Sequence, residues 1–127
     1  MNYLALDYGS KRVGVAYKIG ADPVVPTDII NYQGTDNLIT QINKLVTDKN
    51  IQAIIIGLPL NLKGQKGYQA KIVVEFITAL QAQVGIPIQT IDERFTSSMF
   101  SAIDNIDSYS AAEILSSYLS RLENTHD

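Results

Sequence analysis

The chain has 127 residues, 46% hydrophobic and 18% charged, with a formal net charge of −3, which fits one globular domain and excludes a disordered or fibrous chain. Its longest apolar runs, such as Ala53–Ile56, reach four residues, far short of the roughly 20 that a membrane-spanning helix needs. It has no cysteine, and its single histidine is His126, so disulfides, thiolate chemistry, a buried Ser-His-Asp triad and a His-rich zinc site are excluded together. Catalysis, if present, rests on carboxylates, hydroxyls, amides, Lys, Arg or a metal held by oxygen.

Met1 is followed directly by a strand pattern, without a basic stretch or small-residue cleavage site, so a cytoplasmic protein is expected. Tyr3–Tyr8 reads as a first strand and Arg12–Lys18 as a second, joined by a Gly-Ser-Lys turn. Thr27–Tyr32 makes a third strand. Gly34-Thr35-Asp36 opens a helix whose Leu38, Ile42, Leu45 and Val46 recur at helical spacing. Gln52–Gly57 is apolar without alternation, as in a central parallel strand covered on both faces. A polar loop from Leu58 to about Gly67 leads to a second helix with Val73, Phe76, Ile77 and Leu80 on one face, stopped by Gly85. Ile86–Ile91 is a fifth strand, and a short helix from Thr96 and a longer one from about Asp107 to Leu122 complete the order. The expected fold is one α/β domain over residues 1–127. Its mixed five-stranded sheet has three antiparallel strands and then β-α units with right-handed crossovers, and helices cover both faces.

Three acidic positions stand out. Asp7 closes an apolar strand before Gly9, at the carboxyl edge where open α/β sheets bind ligands; an Asp that starts a turn is the plain alternative. Asp92-Glu93-Arg94 repeats the situation at the end of a parallel strand, with a solvated turn as its alternative. Asp107 precedes Ala111 by four and shares the apolar stripe of Ala111, Ile114, Leu115, Tyr118, Leu119 and Leu122, although a helix cap also favours Asp there. Carboxylates gathered at one edge repel unless a cation joins them, and oxygen ligands select Mg²⁺ or Mn²⁺ over zinc. Such a site suits in-line displacement at phosphorus. The glycines of Gly9–Gly14 have Walker-like spacing, but Val15 stands where a phosphate loop needs Lys.

Charge is unevenly distributed: residues 1–71 carry eight Lys/Arg and five Asp/Glu, residues 72–127 two and eight. Lys11, Arg12, Lys63, Lys66, Lys71 and Arg94 belong to segments at the acidic edge, where they can neutralise a phosphate backbone or simply be solvated. In Gly57-Leu-Pro-Leu-Asn61-Leu-Lys-Gly64, Pro59 fixes the chain as it leaves the sheet and Asn61 offers a donor and an acceptor.

Four blocks, Leu4–Ala16, Gly57–Gly64, Asp92–Ser97 and Asp107–Ala112, resemble in order and spacing the signatures of the YqgF/RuvX family. The resemblance implies an RNase H-like fold and a nuclease that matures the 5′ end of pre-16S ribosomal RNA in ribosome biogenesis, with Holliday-junction resolution of DNA as the alternative. It implies a metal site of Asp7, Glu93 and Asp107, and it leaves the part of Asp92 open. Lys11, Arg12, Asn61 and Arg94 are expected to position the substrate. Two departures stand out: Ser98–Ile106 is short and carries no basic residue, where the family has a longer Lys/Arg-rich stretch, and Phe95 replaces the commoner Leu. A missing basic arm implies help from a partner such as the ribosomal particle, with the chain itself a monomer or weak homodimer. A non-catalytic nucleic-acid-binding module is the rival from another class. A sugar-kinase-like phosphate binder is disfavoured, since 127 residues leave no room for a second lobe.

Overall fold

Alternating side chains divide the first strand between two cores, and the rest of the architecture follows from that division. The computed structural model describes residues 1–9, 11–27, 29–59, 67–92 and 107–125, the side chains of 107–109 and 123–125 apart. Strand β1 (Tyr3–Tyr8) pairs antiparallel with β2 (Arg12–Lys18) and parallel with β5 (Ala53–Leu58), which pairs parallel with β6 (Ile88–Asp92). Two short strands, β3 (Val25–Pro26) and β4 (Ile30–Asn31), both pair antiparallel with β2. The sheet runs β3-β2-β1-β5-β6, with β4 beside β3 on β2.

On one face Leu4, Leu6, Val13, Val15, Ile54 and Ile56 form a branched core with helices α1 (Thr35–Asp48) and α2 (Tyr68–Gln81). Each such side chain contributes about 1.5–3 kcal/mol when taken from water. The other face is smaller: Ala5, Ala16, Ile55 and Ile91 pack on Ala111, Ile114 and Leu115 of helix α3 (Asp107–Thr125). The two alanines let α3 lie close over β1 and β2. No described helix is long and apolar enough to cross a membrane.

The structure corrects several boundaries. The single third strand expected at Thr27–Tyr32 is two two-residue strands, so the sheet has six strands rather than five. Pro26 has no N–H to offer the ladder, and Thr27 N instead bonds Val15 O at 2.9 Å as the chain turns between the two. The last strand starts at Ile88 rather than Ile86, because Pro87 cannot donate and only its carbonyl joins the sheet, accepting Ile54 N at 3.0 Å. Helix α2 ends before Gly85, with Ala82 as its carboxyl cap. Helix α1 buries Ile39 besides the expected Leu38 and Ile42. The short helix expected from Thr96 lies outside the described residues.

Candidate active site

Parallel pairing sends β1, β5 and β6 to the same carboxyl edge, and their registers fix what faces where. Ala5 belongs to the α3 core, so Asp7, two residues on, faces α3 as well. Its partner across the ladder is Gly14, which puts no side chain beside the carboxylate on that strand. Gly9 follows in a tight turn: a Cβ there would lie 2.6 Å from the Arg12 carbonyl oxygen. The position therefore has to be glycine, for closeness of backbone rather than for positive φ.

The Tyr3 and Tyr118 rings meet edge-on with centroids 6.1 Å apart, which pins the later part of α3 over the beginning of β1. From Tyr3 to Asp7 the strand advances about 13 Å, and from Tyr118 back to Asp107 the helix retreats about 16 Å. The two lengths are comparable, so an α3 that runs back along β1 brings the backbone of Asp107 to the level of Asp7. Asp107 opens the helix, where the macrodipole favours a carboxylate.

At β6 the alternation separates Asp92 from Asp7. Ile91 packs in the α3 core and Ile88 against the opposite one, so Asp92 turns to the α1/α2 face. Glu93, Arg94 and Asn61 lie outside the described residues, as do Lys63 and Lys66. Among the described residues no three acidic or histidine side chains gather as a metal site. That set includes the side chain of only one of the three expected ligands, Asp7. The donor chemistry fits a hard divalent cation, since every candidate ligand is a carboxylate.

Lys11 and Arg12 are exposed at the turn between β1 and β2. Lys11 lines a shallow groove with Asn31, Tyr32, Gln33 and Asn37. The Tyr32 hydroxyl donates to Gly9 O at 2.6 Å, tying β4 to the turn that follows Asp7. Burial, and after it the neighbouring Tyr8 hydroxyl, push the Tyr32 phenol well above its usual range. On the α1/α2 face the Tyr8 ring stacks on Phe76 with centroids 4.5 Å apart. Sequence reasoning passed over Tyr8 and Tyr32 as strand residues; the signal available was two tyrosines flanking the Gly9 turn. It also passed over Glu113 of α3, whose Oε2 is buried, because that position falls between those of the apolar stripe.

The family model described as "RuvX: Holliday junction resolvase" matches residues 1–121. The chain belongs to the RuvX family. It is 39% identical to the protein named "Putative pre-16S rRNA nuclease" of Sulfurihydrogenibium sp. (strain YO3AOP1), an alignment covering 94% of this chain and 90% of that one. A protein of the same name from Natranaerobius thermophilus is 31% identical over 100% of this chain and 99% of its own. Among solved structures, Thermus thermophilus RuvC in complex with Holliday junction substrate superposes with a TM-score of 0.68 at 8% identity, covering 97% of this chain and 96% of that one. Fowlpox virus resolvase with its substrate Holliday junction DNA gives 0.60 at 13% identity, over 96% and 99% of the two chains. At these identities the likeness concerns fold, and the fold of this RuvX chain is the RuvC-like RNase H fold.

Proposed function

We propose that this RuvX protein is a metal-dependent nuclease that hydrolyses RNA phosphodiesters, and that its task is 5′ maturation of pre-16S ribosomal RNA. The observations that support the reading are that Asp7 faces α3 at the end of β1 and that Asp107 opens α3. The names of the two relatives support RNA as the substrate. Asp7, Glu93 and Asp107 are the residues we assign to Mg²⁺ or Mn²⁺; Glu93 has the parity of Ile91 along the chain rather than that of Asp92. When bound, the divalent cation supplies activation of the attacking water and charge stabilisation at phosphorus. Lys11 and Arg12, exposed beside Asp7, hold the phosphodiester by charge, and Asn61 and Arg94 are assigned to positioning it.

Holliday-junction cleavage is the second reading, favoured by the description of the family model. The two separate in one experiment: purified protein with Mn²⁺ is given a pre-16S 5′ fragment and a four-way DNA junction. Cleavage of the RNA with the junction left intact is expected, and the reverse preference overturns the RNA assignment. Each phosphate contact adds about −0.7 to the slope of log affinity against log salt on single strands. With few cations at the edge and an acidic second half, the isolated chain should show a slope of about −2 or shallower. Efficient turnover then requires the ribosomal particle to present the RNA. A steep slope with tight binding by the chain alone would remove that requirement.

A further inference from the structure

Between the end of β1 and the first turns of α2 lies a cavity of about 330 Å³, lined by Tyr8, Gly9, Gln69, Ile72 and Val73. That is the lower end of the range for small-ligand sites, about 300–1,000 Å³. Ile72, Val73 and Tyr8 give it apolar walls, and Gln69 gives it a carboxamide that both donates and accepts. The walls are fixed before any ligand arrives: Tyr8 is stacked on Phe76, and the Gly9 carbonyl is held by the Tyr32 hydroxyl.

Tyr68, the first residue of α2, stands one helical turn before Ile72 and therefore on the cavity's side of the helix. It is 81% exposed, more than any other large hydrophobic side chain among the described residues. A ring so exposed adds little to the core. Lys71, three residues further, is an exposed cation on the same stretch. An exposed aromatic ring, a cation nearby and a cavity of mixed polarity, with the Gln69 carboxamide among its described lining residues, match what a nucleobase on a phosphate chain requires.

We propose that the cavity and Tyr68 on its rim take one unpaired nucleobase of the substrate strand. The base stacks on the Tyr68 ring, Gln69 hydrogen-bonds its edge, and Lys71 faces the adjoining phosphate. The proposal rests on the nuclease reading and deepens it. Tyr8 turns to the α1/α2 face and Asp7 to the α3 face, so the bound base lies across the carboxyl edge from the phosphate cut at the Asp7 site, on a nucleotide further along the same strand. A paired base has its faces covered by its neighbours in the stack, so the site selects a single-stranded segment over a fully paired one.

The test is binding by fluorescence anisotropy in chelator, where no metal-dependent cleavage competes, using a labelled oligouridine and its fully abasic sugar-phosphate counterpart. Wild type should prefer the strand with bases. Tyr68→Ala should weaken binding of that strand by about 5- to 100-fold and leave the abasic strand unaffected, while Tyr68→Phe stays within about twofold of wild type because the ring remains. Gln69→Ala should give a smaller loss, also confined to the strand with bases. Equal binding of the two strands by wild type overturns the proposal, and so does a Tyr68→Ala loss that is absent or the same on both. Since alanine is the strongest helix former and Tyr68 is exposed, an unchanged thermal midpoint is expected to accompany the loss. Cleavage with Mn²⁺ is scored separately: a wild type that binds bases as described but cuts no RNA removes the nuclease reading and leaves the base site standing.

Discussion

The two ends of β1 use polar groups in opposite ways. At its beginning, Asn2 engages its whole side chain with main chain: Nδ2 donates to Asn50 O at 3.0 Å and Lys49 O at 3.3 Å, and Oδ1 accepts from Gly20 N at 2.9 Å. Gln52 closes the same corner, accepting from Asn2 N through Oε1 and donating to Asn2 O through its own N, both at 2.9 Å. At the other end the Tyr32 hydroxyl donates to Gly9 O. Around it lie a carboxylate opposite a glycine, two exposed cations, a groove and a cavity. One end joins the loops after β2 and α1 to the sheet; the other holds its backbone firmly and leaves room beside it. Because β1, β5 and β6 are parallel, their carboxyl ends, where open α/β sheets bind ligands, gather at one edge and the fastening lies at the other.

Substitutions at the two ends should therefore part company. The largest expected effect is that of Asp7→Asn, which lowers Mn²⁺-supported RNA cleavage by at least about 100-fold, the upper end of what losing a group one shell further out costs. The thermal midpoint in chelator should hold or rise, as one charge leaves an acidic edge. Gly9→Ala should cost about 1–3 kcal/mol in urea denaturation, because the new Cβ forces the Arg12 carbonyl to move, and turnover should fall with it as Lys11 and Arg12 are displaced. Asn2→Ala is the mirror image: about 1–2 kcal/mol of stability for three partly exposed bonds, with turnover per folded molecule unchanged. Parallel loss of turnover in Asn2→Ala would erase the distinction between the ends.

The smallest effect belongs to Tyr32→Phe, about 0.5–1.5 kcal/mol for one hydrogen bond at neutral pH. Its sign with pH is distinctive. The folded state raises the phenol's pKa, by burial first and by Tyr8 second, so above about pH 10 the unfolded chain releases a proton that the folded one keeps. Wild-type stability should fall as pH rises past that point, and denaturation midpoints across the alkaline range should fall less steeply in Tyr32→Phe.

Much of this was legible in the sequence for physical reasons. The apolar run of Tyr3–Leu6 and the alternation of Arg12–Lys18 each mark a strand, and the strands Tyr3–Tyr8 and Arg12–Lys18 have the expected bounds in the structure. The end of β1 near Asp7 was readable because a carboxylate after an apolar run ends a strand, and the start of α3 at Asp107 because a four-residue offset from Ala111 is one helical turn. Val25–Asn31 was not readable as two strands, since pairing with β2 rather than local pattern splits it around the Pro26 turn. The face of Asp92 needed the register through β5, which no local window contains. The cavity under Tyr8 was equally hidden: Gln69, Ile72 and Val73 meet Tyr8 and Gly9 only when α2 crosses back over β1.

A divalent-cation site at the carboxyl edge built around Asp7 makes a claim on stability, which a series of thermal midpoints against Mn²⁺ concentration in wild type and Asp7→Asn reads out. Binding to the folded state alone stabilises by RT ln(1 + [L]/Kd), about 2.7 kcal/mol at a hundredfold excess. The wild-type midpoint should climb with the logarithm of Mn²⁺ above the dissociation constant, and that of Asp7→Asn should stay flat over the same range. An equal climb in both proteins, or a flat response in wild type together with cleavage that persists in chelator, would contradict the claim.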